Sequence, residues 1–406
     1  MLRLLILFVF SLMASCIGPL KELDRQIDDV YLSSPLDGTP EELPENFVNK
    51  VEIKKLWSFE FSDLSDETAP VIDEEFLYLL TRDGRFLKLS LDSGAVVFEK
   101  QLNANVDVGL FGASKAQNFF FIDSNNYLTK INNNAEISWR VRLSKKVDLL
   151  PLVYENQIII KYKNNDIESF DLDTSLSLWV YQKPNPPLSI DIQSPLIIAD
   201  NIIYTGFPGG KIIIIDPESG SFLTELSVTR ASGVTEIDRA KDISGEIAII
   251  DSILYAASYN GEIAAFDRTN GSKIWSRKIS SYFGVKTDNV NLILTHEDDA
   301  IYNFDKNTGK TVWKANFMKY RKASRPIIFN DYILTTDYLG ILHIISLEEG
   351  ELMGMFNFGK GFDGLVDFNT NESIRNGVNQ TKIFKHNNSI FVFDNNNIHK
   401  LTISNE

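Results

Sequence analysis

Short apolar runs recur along the chain, four to six residues long and rich in Ile, Val, Phe and Tyr. They fall at residues 76–80, 118–122, 157–160, 201–205, 253–257, 291–295, 332–336 and 389–393, and each is bounded by Gly, Asn or Asp. That length and composition predict strands rather than helices. After most runs the same phrase follows, clearest in Asn260-Gly261, then Ile263-Ala264-Ala265-Phe266-Asp267, then Gly271, then Ile274-Trp275. It reads as a turn, a strand ending in Asp, a second turn, and a strand carrying an aromatic. Ten residues separate Gly261 from Gly271, and the same ten separate Gly84 from Gly94, Gly210 from Gly220 and Gly340 from Gly350.

The second turn reads Asp92-Ser93-Gly94, Asp171-Leu172-Asp173-Thr174-Ser175, Asp216 to Gly220, Asp267 to Gly271, Asp305 to Gly309 and Glu348-Glu349-Gly350, with a shortened copy at Asn132 to Ala135. Its Asp is expected to accept hydrogen bonds from amides ahead of it, an Asx-type turn, and so to serve structure rather than catalysis. The aromatics that follow are Phe98, Trp139, Trp179, Trp275 and Trp313, and packing between repeats accounts for them. Asp83-Gly84 and Asn260-Gly261 are expected to be two-residue hairpin turns, since these residues tolerate positive φ.

Each repeat therefore supplies about four antiparallel strands over a period of about 40 to 50 residues, which favours a β-propeller over a β-solenoid. Eight apolar hairpins predict an all-β, eight-bladed propeller. The last unit, 382–403, stops after its third strand, and the orphan strand at 51–59, which carries Trp57, is expected to complete it and close the ring. Closure removes the sheet edge an open array would leave. One domain of about 350 residues follows, where length alone would suggest two or three.

The net charge of −15 argues against nucleic-acid binding and against electrostatic docking on anionic lipid, and it favours basic partner surfaces. The single cysteine, Cys16, follows a charged start, an apolar run over 4–13, and Ala14-Ser15. This is a signal-peptide pattern, and the run is short for a membrane span. Met13-Ala14-Ser15-Cys16 resembles a bacterial lipobox, which implies cleavage before Cys16 and its lipidation. Ile17, where Asp would retain a lipoprotein in the inner membrane, implies delivery to the outer membrane. The expected organisation is a signal peptide at 1–15, a polar tether at 16–50 and the propeller at 51–406.

Two stretches break the repeat, near 184–194 and 229–245. The second contains Thr235-Glu236-Ile237-Asp238-Arg239, with a Tyr259-Asn260-Gly261 turn in the following blade. Here the chain resembles the BamB family, the propeller lipoproteins of the outer-membrane β-barrel assembly machinery, from residue 16 to about residue 403. The resemblance implies a scaffold without enzymatic activity or cofactor. It would face the periplasm from the outer membrane and help β-barrel proteins to fold and insert, with unfolded clients as further partners. It also implies docking to the barrel-inserting subunit BamA through two loops. The family's first loop carries a Leu-Ser-Leu-Arg run, matched here by Leu188-Ser189-Ile190-Asp191, so the apolar positions are kept and the base is replaced. Its second carries two acids two apart, matched by Asp242 and Ser244, so one acid is kept. Leu188, Ile190, Asp191, Glu236, Asp238, Arg239, Asp242 and Ser244 are thus the candidate partner-binding residues.

A more distant resemblance to quinoprotein dehydrogenases, through the Asp-x-x-x-Gly-x-x-x-Trp phrase, would imply a quinone cofactor with calcium and an Asp base. Against it, there is no Cys-Cys pair, and His296, His343, His386 and His399 lack metal-ligand spacing. Glu297-Asp298-Asp299 is expected to be a solvated turn rather than a calcium site. A propeller binding another envelope partner is the third alternative. The Asn- and Gly-rich stretch at 359–381 is expected to be a loop.

Overall fold

A computed structural model describes residues 38–44, 47–65, 67–113, 118–186, 189, 193–230, 240–358, 382–394 and 396–405. The chain divides into two units, Met1–Gly38 and Thr39–Glu406, and the strands described below all lie in the second. Eight four-stranded antiparallel sheets follow one another as the blades of a propeller. Blades 1 to 7 take consecutive strands at 71–101, 106–142, 152–181, 197–227, 248–278, 285–315 and 327–357. Blade 8 combines Lys382–His386, Ser389–Asp394 and Asn397–Asn405 with Val51–Glu60, so the orphan strand does close the ring. The expected apolar runs form the second strand of every blade.

Burial follows strand position. Second strands such as Phe76–Leu80 and Tyr332–Thr336 are buried on both faces, which is why they read as unbroken apolar runs. Outer strands such as Val96–Gln101 and Ile137–Arg142 alternate exposed with partly buried residues. The core is a set of clusters, most of which bridge adjacent blades.

The joints between blades repeat one device. The indole N–H of an outer-strand Trp donates to a carbonyl in the second turn of the next blade: Trp57 to Leu91 O (3.0 Å), Trp139 to Leu172 O (3.1 Å), Trp179 to Pro217 O (2.9 Å), Trp275 to Lys306 O (2.9 Å) and Trp313 to Leu347 O (3.1 Å). All five tryptophans of the chain are used this way. Under four of the indoles lies the glycine of that turn. At Gly309, where φ is +66°, a Cβ would lie 2.4 Å from Trp275, so the position needs both the left-handed backbone and the missing side chain. Trp57 applies the same lock across the closure, from blade 8 to blade 1.

The second turns close as expected at Asp171, Asp216, Asp267 and Asp305, whose Oδ1 atoms accept amides at 2.7–2.8 Å. In blades 1 and 7 the turn opens two residues earlier than the repeat pattern predicts. Ser90 and Ser346, not Asp92 and Glu348, accept the closing bonds from Gly94 and Gly350 (2.9 Å each). The first turns also differ from expectation. Thr81 N donates to Arg85 O (3.1 Å) and Gly84 N to Thr81 O (3.0 Å), which makes a three-residue loop with Gly84 left-handed. At Tyr259-Asn260-Gly261 it is Asn260 that takes the positive φ of 48°.

On the face of the first turns, backbone amides stitch the turns of blades 1 to 3 and 5 to 7 to the connection arriving from the blade before. The pairs are Arg82 to Asp63, Ser124 to Asn105, Lys163 to Lys146, Tyr259 to Asp242, Glu297 to Ser280 and Tyr338 to Arg321, at 2.8–3.2 Å. Part of the expected tether is also fastened. Glu41 N donates to Lys319 O (3.1 Å), Arg321 donates to Glu41 O (2.6 Å), and Lys50 N donates to Met353 O (2.8 Å) on the outer strand of blade 7.

Replacing Trp57 by Ala should lower stability by about 3–5 kcal/mol, as removal of a packed Trp does, and loosen the closure. A urea midpoint unchanged from wild type would show that the ring is closed by something else.

Candidate functional site

The connections that the sequence singles out run from blade 3 to blade 4 and from blade 4 to blade 5, on either side of the first turn of blade 4. Leu188, Ile190, Asp191, Glu236, Asp238 and Arg239 lie outside the described residues, as do Cys16 and the stretch at 359–381. Of the first run, Ser189 is partly exposed. The ends of both connections are described, and they meet. Gly245 N donates to Gln193 O (3.4 Å), and Ile243 N donates to Phe207 O (3.3 Å). Gln193 in turn donates to Tyr162 O (2.8 Å) and Lys163 O (2.7 Å) at the first turn of blade 3.

Asp242 and Ser244 were expected to face a partner, and the structure places both inside. Asp242 is 1% exposed and Ser244 fully buried. The Asp242 carboxylate accepts the Gly209 amide (3.0 Å) from the first turn of blade 4, while its carbonyl accepts Tyr259 N (2.9 Å) from blade 5. Ser244 Oγ donates to Ser281 O (3.1 Å), which ties the connection to the next one. The physical reason is the stitching common to this face. Asp242 occupies the acceptor position that Asp63, Asn105, Lys146, Ser280 and Arg321 fill at other joints. The pair fixes the base of the insert.

Sequence reasoning missed Lys161, the last residue of the second strand of blade 3. It is 2% exposed, and its ammonium donates to Ser194 O (3.0 Å), Thr205 Oγ1 (3.0 Å) and Gly206 O (2.7 Å), with the Phe207 ring 4.8 Å away. Burial pushes its pKa down to about 7. The signal lay in the repeat. The matching position holds Leu80, Ile122, Gly206, Ala257, Thr295 and Thr336 in other blades, so Lys161 is a charge where the frame calls for a small or apolar side chain.

Among the described residues, the acids and histidines do not converge on a catalytic arrangement. Glu297-Asp298-Asp299 is not a solvated turn. Asp298 is 4% exposed, and although burial alone would raise its pKa, His296, the Ala300 amide and Lys319 hold it at about 2. Asp299 accepts the Lys322 and Ala323 amides (2.7 and 3.1 Å), and enclosure of its carboxylate raises it to about 7. His343 bonds Asp337 (3.0 Å), which is also gripped by Arg321, and His399 stacks on Phe358 at 4.8 Å. The turn aspartates Asp171, Asp216, Asp267 and Asp305 are held low by neighbouring hydroxyl and amide donors, as fits ionised structural acceptors.

The curated outer membrane protein assembly factor BamB of Bordetella pertussis is 25% identical over 294 residues, covering 72% of this chain and 76% of that protein. The crystal structure of BamB from Moraxella catarrhalis superposes with a TM-score of 0.73 at 19% identity, over 86% of this chain and 100% of that one. A quinohemoprotein alcohol dehydrogenase from Comamonas testosteroni shares the fold at a TM-score of 0.64 and 10% identity, over 86% and 76% of the two chains. The family model described as outer membrane protein assembly factor BamB matches residues 105–315, from the start of blade 2 to the end of blade 6 and including both irregular connections. The chain therefore belongs to the BamB family of outer membrane protein assembly factors.

Proposed function

We propose that this chain is a non-enzymatic scaffold in outer-membrane protein assembly, working at the outer membrane in a complex with other assembly components. The observation that carries this is the family match across blades 2 to 6, which takes in both connections where the repeat is interrupted. The quinohemoprotein likeness, at 10% identity, is one of fold alone.

Cys16 carries the lipid that anchors the chain, and the propeller faces the periplasm. Two acyl chains or more hold a protein firmly at a membrane where one does not. The connection around Leu188, Ile190 and Asp191, together with Glu236, Asp238 and Arg239 on the next, docks the periplasmic part of BamA. Leu188 and Ile190 supply most of the energy, as apolar anchors do in such interfaces. Asp242 and Ser244 act indirectly by holding the base of the second connection, and the bond between Gly245 and Gln193 joins it to the first. Unfolded β-barrel clients are a second class of partner. Outer strands leave a free edge, and those of blades 3 and 4 expose Leu178, Val180, Phe222 and Leu223, which suits transient strand pairing.

Changing Leu188 and Ile190 together to Asp should cut recovery of BamA in co-purification at least about tenfold, the effect expected of anchor residues. Undiminished recovery would remove this connection from the interface. Cys16→Ala should move the protein from the membrane pellet to the soluble periplasmic fraction, and continued sedimentation would point to another anchor. Asp242→Ala orphans the Gly209 amide and should lower stability by about 1–3 kcal/mol in urea unfolding. A neutral effect would show that the carboxylate is not holding the turn.

A further inference from the structure

Among the buried groups, Lys161 is the one the frame does not explain. In blades 1, 2 and 4 to 7 the matching position of the second strand holds an uncharged residue. The acceptors around its ammonium are neutral: two carbonyls and a hydroxyl. A buried cation without a carboxylate partner costs more stability than an apolar side chain of the same length in that place.

What the ammonium touches gives it a purpose. Ser194 stands at the exit of the blade 3–4 connection. Gly206 lies against the blade 4–5 connection so closely that a Cβ on it would be 2.3 Å from Ile243 Cγ2 and 2.8 Å from Ser194 Cβ. Asp242 precedes Ile243, and Gly245 bonds back to Gln193. The joint is also incompletely bonded, because Ser194 Oγ and Gln193 Oε1 are buried with no hydrogen-bond partner. Buried polar atoms left without protein partners are uncommon.

We propose that Lys161 is a positioning residue that fastens the ends of both irregular connections to blade 4 and so makes them one docking platform. This rests on the docking reading above. An ammonium offers three N–H donors for its three acceptors, whereas a neutral amine offers two. Deprotonation therefore loosens the platform. The neighbouring strands and connections bring no charge to bear on the amine. Among the described residues, the titratable groups on them include Tyr162 and Glu168, bonded to each other, Tyr181 beside the Phe207 ring, Lys183 and Lys211 both paired with Glu225, Lys241 on Asn260 O, and Asp242 on the Gly209 amide. The site is thus set by burial alone, and its titration near 7 separates two effects. Because the folded pKa lies below the unfolded value of 10.5, the stability cost is full below about 7 and is relieved as pH rises toward 10.5. Global stability from this group rises with pH while order in the platform falls.

The test compares the mature protein with Lys161→Met at pH 6 and pH 8.5. At pH 6 the variant should melt at a higher temperature than wild type, yet exchange its amides at 205–207 and 243–245 faster, and bind the periplasmic part of BamA about tenfold more weakly. In wild type, exchange at those amides, corrected for its intrinsic pH dependence, should quicken between the two pH values, and in the variant it should not. Equal exchange in the two proteins at both pH values overturns the positioning role, whatever the binding result. Altered exchange with unaltered binding overturns the link to docking and leaves BamA as the partner. Wild-type protein that fails to bind at either pH overturns the docking reading itself, and the proposed purpose of the platform with it.

Discussion

The indole bond that spans five of the eight blade joints is the contact on which the rest of the ring depends. An outer strand has one sheet face to bury and a free edge in water, so by itself it would be the weakest part of its blade. The Trp side chain turns that strand into a connector. Its ring covers the glycine of the next blade's second turn, and its N–H uses a carbonyl that the turn leaves open. The bond matters because a carbonyl enclosed under the ring needs a donor in place of water. At two joints a lysine completes the carbonyl: Lys400 at Leu91 O (2.9 Å) and Lys130 at Leu172 O (3.0 Å). At the blade 5–6 joint the Tyr255 hydroxyl does so at Lys306 O (3.1 Å). Where the Trp is missing, packing takes over, as with Leu226 against Gly271.

One joint cannot be made in this way. Blade 8 has no second turn, because its outer strand comes from the start of the chain. There the entering residues do the work: Asn49 and Lys50 bond the outer strand of blade 7, and Val51 packs against Gly354. The same stretch ends in the strand that carries Trp57, so about ten residues seal both sides of the closing blade. This explains why the tether, read from composition as free up to residue 50, is fastened at Asn49 and Lys50, with Glu41 held as well. Composition does not distinguish a bound polar segment from a free one.

Much of the frame was legible because it repeats. A glycine ten residues from another and a Trp beyond it carry their own alignment, and the orphan strand at 51–59 was recognisable by Trp57 alone. The misplacements also have physical causes. Ser90 and Ser346 open the turns in blades 1 and 7 because Ser can cap the amides ahead as Asp does, so a pattern keyed to Asp settled on Asp92 and Glu348 instead. Asp242 and Ser244 looked like surface residues because polar loop residues usually are. Their burial follows from the stitching of connections to first turns, a backbone pattern with no side-chain signature. Lys161 was visible in principle, since stacking the repeats isolates it, but it sits at the end of an apolar run and reads there as the solvated end of a strand.

The two faces of the ring therefore carry different demands. The second turns are locked by indoles, and their sequences are confined to what the lock accepts. The first-turn face is held by backbone bonds, which any residue can make, so its connections are free to lengthen and to change side chains. Blades 3 and 4 show both conditions at one joint. On one face Trp179 covers Gly220 and bonds Pro217 O, and on the other the contact is a buried ammonium with neutral acceptors. Such a contact would be a poor choice for stability alone. It can persist here because the apolar faces and the indole lock hold the blades together without it, which leaves the first-turn side of the joint available for a polar, titratable arrangement suited to binding.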